Sequence, residues 1–292
     1  MNFLSYLISG ISLGSVYALI ALGYTMVYGI AKMLNFAHGD VIMIGGFVIF
    51  TAVSSMHTSA GVAIVCAIIV CTVLGVSIEK IAYKPLRNAP PLAVLITAIG
   101  VSYFLQNVAL LIFGSASRNF PDILHLPDWH VADGLTVTGE AILTIAATIV
   151  IMIALTTFIN HTRIGAAMQA VSEDRGAAQL MGVNVNSTIS VTFAIGSALA
   201  AVASLLLCSS YPLIGPYTGA MPGIKAFVAA VFGGIGSIPG AMIGGVLLGV
   251  IEILGKAYVS TELGDALVFA VLILVLLVKP TGLLGKPVRE KV

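Results

Sequence analysis

Charge is what this chain lacks. Only 9% of its 292 residues are Asp, Glu, Lys or Arg, whereas soluble domains carry roughly 25%, so most of its surface does not face water. No basic excess exists either: 13 Lys and Arg stand against 12 Asp and Glu. That near balance excludes the basic face a nucleic-acid binder needs, and a single Trp gives no stacking platform. Cysteine is scarce as well. Cys66, Cys71 and Cys208 all lie inside apolar runs, are odd in number and lack metal-ligand spacing. A disulfide framework and a zinc site are therefore both excluded, and the three thiols read as small apolar packers.

Long apolar runs are what is present. A helix needs about 20 mostly apolar residues to cross the hydrocarbon core. Cutting at charges and prolines gives candidates near 4–30, 41–56, 60–79, 91–113, 141–159 and 189–213, then a Gly-rich stretch at 225–255 and a last span at about 263–279. The first run, Phe3–Ala31, has no basic residue before it and is too long for a signal-peptide core, so it reads as a retained span. Backbone groups in lipid need internal partners, and helices supply them. The expectation is an all-α, polytopic helical bundle of the inner membrane, a single transmembrane domain over 1–292. It has about eight membrane segments, one of them a short or re-entrant hairpin. Pro90 and Pro91 after Asn88 predict a helix start, and Lys279-Pro280 predicts a stop.

Orientation follows from Lys and Arg in short loops. Lys80, Lys84 and Arg87, then Arg163 and Arg175, then Lys279, Lys286, Arg289 and Lys291 mark cytoplasmic sides. The loop 114–140 carries Asp122, Asp128, Asp133 and Glu140 with only Arg118, which places it outside, in the periplasm. The C-terminus is then cytoplasmic, and counting back puts the N-terminus outside. The stretch 225–255 must enter after an outward loop (214–222), turn at Gly236–Gly240 and leave again.

Glycines mark both packing and breaks. Gly10 with Gly14, Gly236 with Gly240 and Gly244, and Gly245 with Gly249 have the four-residue spacing that lets helix backbones approach closely in lipid. Pro239 makes the Gly236–Gly240 pair a turn. "GGIGSIPG" and "TGLLGKP" are not phosphate loops: the second lacks the earlier Gly and the following Ser or Thr, and the first has no preceding strand. Two interrupted segments, one per half, point to a transport site between repeats. Here these are 34–46 and 233–245, each ending in Gly-Gly.

Within "LNFAHGDVIMIGG", Asn35, His38 and Asp40 fall inside six residues. One reading is a proton relay, because intramembrane ionisable groups default to function. The plainer one has Asp40 capping the next helix while His38 bonds to a carbonyl at the water boundary. His125, Asp128, His130 and Asp133 in the outer loop pose a similar choice between a metal site, a docking surface supported by Pro127 and Trp129, and a solvated loop. Glu79 and Glu252 end apolar runs, where snorkelling or a local pair is the ordinary explanation, and Lys225 beside Pro222 marks the outer mouth. The loop 160–188 is amphipathic: Ile164, Met168, Val171, Ala178 and Met181 can share one side of a helix, Glu173, Asp174 and Arg175 make a charged turn, and Gly182 offers a stop. Two Arg against two acids favours docking on a partner over lipid attraction.

"LNFAHGDVIMIGGF", "AVSEDRGAAQLMGVNV" and "FGGIGSIPGAMIGG", in that order, resemble the permease subunits of bacterial branched-chain amino acid ABC transporters, of the LivH type, over essentially the whole chain. The resemblance implies an inner-membrane permease paired with a second related permease. Two cytoplasmic ATPase subunits lie below, and a periplasmic binding protein delivers leucine, isoleucine or valine. On this likeness 160–188 is the cytoplasmic coupling loop, with Glu173, Asp174, Arg175, Gly176 and Gly182 seating an ATPase; Gly176 departs from the stricter Ala-Ala form of the importer motif. The substrate path would run past Asn35, Phe36, His38, Gly39 and Asp40 and past Gly236, Ser237 and Gly240. No catalytic residue, metal or cofactor is expected. Permeases of urea or amide importers share these motifs, and a stand-alone secondary carrier is the alternative of another class.

Overall fold

The computed structural model describes residues 2–132 and 135–285. Among these, helix α1 covers Asn2–Ala31, α2 His38–Phe50, α3 Ala60–Ile78, α4 Pro91–Phe113, α5 Gly139–His161, α6 Arg163–Glu173, α7 Arg175–Leu180, α8 Val185–Ser210, α9 Ala220–Gly233, α10 Ile238–Tyr258 and α11 Gly264–Val278. Wide turns of helix extend α2 through Thr51–Ser55 and α3 through Glu79–Tyr83. Seven helices are long and apolar enough to cross a membrane, and α9 and α11 are shorter apolar helices. The chain is thus a polytopic helical membrane bundle. Helix α4 begins at Pro91 and α11 ends before Lys279, where the prolines and the lysine predict. Lys286, Arg289 and Lys291, used for orientation above, lie outside the described residues.

Helix α1 is the hub. Ala18, Leu19, Ile20, Ala21 and Leu22 are all fully buried, so this helix is covered on every side. Its main neighbour is α10, which runs antiparallel to it through the glycine rows. A methyl group on Gly14 would lie 2.6 Å from the Val246 Cα, one on Gly10 2.8 Å from the Val250 Cα, and one on Gly245 or Gly249 would overlap the α1 backbone at Ala18 or Gly14. The two four-residue glycine spacings therefore face each other and bring two backbones into van der Waals contact. Outward faces of α3, α4 and α5 carry exposed Val65, Ile69, Leu92, Phe104, Val150 and Ile153. Such continuous apolar surface faces lipid or a partner rather than water.

Short strands interrupt the helical pattern. Strand β1 (Arg118–Asn119) pairs antiparallel with β4 (Leu213–Ile214), and β2 (Trp129–Ala132) forms a hairpin with β3 (Leu135–Val137). The β1–β4 pair ties the loop after α4 to the segment after α8, and so fixes where the chain re-enters the bundle.

Candidate functional site

Helix α2 and the shorter helix α9 both begin inside the bundle, and their first turns touch. After α1 ends at Lys32, whose φ of 53° stops the helix, residues 33–37 do not continue outward. They fold back so that the His38 ring lies against Gly23, where a methyl group would overlap it. Gly23 is eight residues from Ala31, about 12 Å at 1.5 Å per residue. Helix α2 therefore starts about 12 Å inside the Ala31 end of α1 and runs towards the Asn2 end. From the opposite side, residues 211–219 descend past Gly46, against which Ile214 packs, until Gly219 meets Gly39. Helix α9 then runs the other way, towards the Ala31 end.

Only glycine permits this junction. A methyl on Gly39 would lie 2.5 Å from the Gly219 carbonyl oxygen, and one on Gly223 2.9 Å from the Gly39 Cα. A further break lies at 211–219, besides the interruption within 233–245, where residues 234–237 separate α9 from α10. The segment after α8, expected as an outward loop, dips into the bundle, and α2 and α9 run in opposite directions from the junction. Gly219 and Gly223 carry the same four-residue spacing as the other packing glycines, a signal that was legible in the sequence.

The non-helical residues at this depth are satisfied by side chains from other helices, as lipid-free backbone requires. The Tyr83 hydroxyl donates to the Asn35 side-chain oxygen at 3.0 Å and lies 3.3 Å from the Leu34 carbonyl. Gln106 Nε2 of α4 donates to Asp40 Oδ1 at 2.9 Å. Asp40 sits in the first turn of α2 but caps nothing: the N-cap is Ala37, without a side-chain bond. The capping expectation fails because Asp40 falls two residues inside the helix, where its carboxylate points to α4. Nor does His38 lie at a water boundary. It is 1% exposed, packs edge-on to Tyr24 at 4.8 Å, and its ring faces the Ile20 carbonyl, so the expected carbonyl contact is present but is buried. Phe36 and Tyr24 both meet Phe227 of α9, at 5.4 and 5.9 Å. Asn35, Phe36, His38, Gly39 and Asp40 thus form one cluster with Tyr24, Tyr83, Gln106, Gly219, Gly223 and Phe227, none of which the sequence singled out.

Gly236, Ser237 and Gly240 are elsewhere. They make the turn between α9 and α10: Gly236 has φ 92°, Ser237 Oγ accepts the Gly240 N–H at 3.2 Å, and a methyl on Gly240 would overlap the Gly233 carbonyl. This turn sits beside Gly29, six residues or about 9 Å along α1 from Gly23. It is the tight turn expected from Pro239, but it is not part of the cluster around His38.

Towards the Asn2 end, a buried ion network holds α9 in place. Lys225 Nζ is 2.7 Å from Glu252 Oε1 and 2.6 Å from Asp265 Oδ1, Lys256 Nζ is 2.5 Å from Glu252 Oε1, and the Tyr17 hydroxyl donates to Glu252 Oε2 at 2.9 Å. Lys225 is therefore enclosed at 5% exposure instead of marking an open mouth. Glu79 is likewise buried, not snorkelling: Arg87 and Ser190 both donate to it, and Arg87 also donates to Asn186. The local-pair reading holds for both carboxylates.

Residues 162–184 form two helices, not one. Thr162 Oγ1 accepts from the Gly165 N–H to start α6, and Asp174 Oδ1 accepts from the Gly176 and Ala177 N–H groups, at 2.9 and 3.0 Å, to start α7. Gly182, at φ 86°, ends α7 as its position suggests. Met168, Val171 and Ala178 are buried. Ile164 and Met181 are exposed, because the break at Asp174 divides the single apolar face expected from spacing. Glu173 is exposed. Arg175 turns inward and donates to the Ala31 carbonyl at the end of α1; burial and the nearby Arg87 hold its guanidinium below the usual arginine range. The outer tip of α7 is Leu180 and Met181, 89% and 84% exposed.

In the loop after α4, Asp122 Oδ1 accepts from the Leu124 and His125 N–H groups, Asp122 Oδ2 pairs with His125 Nδ1 at 3.2 Å, and His130 Nδ1 meets Thr136 Oγ1 at 3.0 Å. No group of three metal-ligating side chains exists among the described residues, and Asp133 lies outside them. Leu126, Pro127 and Trp129 line an apolar recess against α5.

The fold is that of a polytopic helical membrane protein in which the first turns of α2 and α9 meet inside the bundle. A family model described as the permease component of branched-chain amino acid transport systems matches residues 6–276, and the chain belongs to that family. It is 49% identical over 100% of its length to a protein of Salmonella typhimurium named as the high-affinity branched-chain amino acid transport system permease LivH, covering 98% of that protein. The same figures hold for LivH of Escherichia coli K12, and BraD of Pseudomonas aeruginosa is 46% identical with the same coverage. Among solved structures, PsaBC from Streptococcus pneumoniae in complex with a Fab matches with a TM-score of 0.50 at 15% identity, covering 96% of this chain and 93% of that one, a likeness of fold alone.

Proposed function

We propose that this chain is the permease subunit of an ATP-driven importer of leucine, isoleucine and valine, and that it is a transport subunit and not an enzyme. The relatives named LivH and BraD support the substrate class over urea or amides. The observation that carries the mechanism is the approach of Gly39 to Gly219, which sets the N-termini of α2 and α9 against each other inside the bundle. Helix N-termini present free N–H groups and a partial positive charge, a fit for the carboxylate of a zwitterionic substrate. Asp40 supplies an acceptor for its ammonium, and Tyr24, Phe36 and Phe227 offer a wall for the aliphatic side chain. Asn35, Phe36, His38, Gly39 and Asp40 are thus assigned to the substrate path, and Gly236, Ser237 and Gly240 to the inner turn that moves with α9.

On this reading the chain pairs with a second, related permease, docks on two cytoplasmic ATPases through 160–188 and receives substrate from a periplasmic binding protein, with 114–140 periplasmic and the C-terminus cytoplasmic in the inner membrane. Glu173, Asp174, Gly176 and Gly182 shape the docking element, and Arg175 anchors it to the end of α1. ATP binding below then shifts α7, and through Arg175 the end of α1 against the half-helix junction. Uptake in proteoliposomes tests this. Transport should require the ATPase subunits and ATP, and Asn35→Leu or His38→Ala should raise KM or abolish uptake at equal expression. Gradient-driven uptake by the chain alone would overturn the reading in favour of a secondary carrier.

A further inference from the structure

Where α1 ends and α4 begins, the bundle leaves a cleft of about 390 Å³, within the size range of small-ligand sites. Its polar rim carries three cations from three separate elements: Lys32 just past α1, Arg87 just before α4, and Arg175 at the start of α7. The deeper wall is apolar, built from Met33, Leu34, Leu86, Val94 and Leu95.

Among the described residues, one ion pair at this rim offsets part of its positive charge. Glu79 is the only carboxylate in an ion pair there among the described residues. Its two oxygens are taken by Arg87 and Ser190, and neither Lys32 nor Arg175 forms an ion pair among those residues. Arg87 Nε is buried with no hydrogen-bond partner, and Arg175 feels Arg87 as a like charge. With Arg87 offset by Glu79, Lys32 and Arg175 leave the rim net positive above an apolar wall, which forms a site for an anion with a hydrocarbon tail. The location agrees: the rim stands at the end of a membrane-spanning helix, and the adjoining turns of α4 expose Leu92 and Ile96, 66% and 61% accessible, to the lipid side. Basic pockets between helices at a membrane boundary bind anionic head groups in this way.

We propose that this cleft binds an anionic phospholipid, its phosphate held by Lys32 and Arg175 beside the paired Arg87 and one acyl chain lying along Met33, Val94 and Leu95. An acidic side chain of a protein partner would satisfy the rim but not the apolar wall beneath it, which is why the lipid is assigned. The site stands independently of the transport reading.

The test uses the full-length chain in nanodiscs of phosphatidylcholine doped with photoreactive phosphatidylglycerol or photoreactive phosphatidylcholine, with labelled peptides mapped. Preferential labelling of the 28–34 and 86–95 segments by phosphatidylglycerol is expected. Lys32→Gln should reduce it about fivefold, the effect of one basic group near a charged surface, and Lys32→Arg should restore it. Lys32 makes no ion pair, so its replacement leaves the fold intact, and an unchanged unfolding midpoint verifies this. Equal labelling by phosphatidylcholine, or labelling unaffected by Lys32→Gln, overturns the proposal. So does full competition by inorganic phosphate at millimolar concentration, which marks a free-anion site. Loss of phosphatidylglycerol labelling on adding ATPase subunits, with no recovery from added lipid, assigns the rim to a protein carboxylate and overturns it too.

Discussion

Lys225 and Glu252 form an ion pair of 2.7 Å in which the two side chains are 7% and 1% exposed. One sits on a half-length helix and the other near the end of the helix packed antiparallel to it, so the pair decides how far α9 projects into the bundle. Breaking a buried pair by removing one partner leaves an uncompensated charge. Lys225→Met should therefore lower stability by about 3 kcal/mol, softened by Lys256, which still reaches Glu252. The double variant Lys225→Met, Glu252→Gln should recover a large part of that loss, since it removes the orphaned carboxylate. Thermal unfolding in detergent reads both; an additive double variant would mean that the pair does not couple.

The α1–α10 seam predicts a steric failure. Gly14→Val places three carbons into the Val246 backbone, which cannot move without shifting the hub helix. The cost should be at least about 3 kcal/mol, the upper part of the usual overpacking range, whereas Gly100→Ala, where a methyl would meet nothing within 4 Å, should be close to neutral. Comparing their unfolding midpoints checks the ranking.

At the half-helix junction, Gly39→Ala should reduce uptake severely at equal membrane expression, because its methyl would meet the Gly219 carbonyl. Gly61→Ala, which meets open space, is the matched control. Uptake retained in Gly39→Ala would remove the junction from the transport path.

For the docking element, Leu180→Ser and Met181→Ser should weaken ATPase association about tenfold, or about 1.4 kcal/mol, with no change in the stability of the permease itself. These side chains are exposed and support no core. Arg175→Gln should behave differently, lowering coupling of ATP hydrolysis to uptake while leaving association largely intact, because its guanidinium bonds the end of α1 and not the outer surface. Pull-down affinity and the ratio of transport to hydrolysis separate the two effects.

Much of this protein was determined by the sequence alone. Apolar run length set the helices, prolines and Lys279 set the edges of α4 and α11, and the Gly10, Gly14, Gly245 and Gly249 spacings marked the surfaces that pack α1 on α10. These are local properties: hydropathy, backbone freedom and side-chain size act within a few residues. Depth and pairing are not local. Nothing within "LNFAHGD" says that residues 33–37 fold back about 12 Å along α1, because that depends on Gly23, Gly219 and Gly223 leaving room in three other segments. Asp40 looks like a cap until Gln106 arrives from α4, and Lys225 looks exposed until Glu252 and Asp265 enclose it. The sequence supplied the polar groups, and only the tertiary structure decided which of them meet, because a charged or polar group in a low-dielectric bundle must find its partner across the fold and not along the chain.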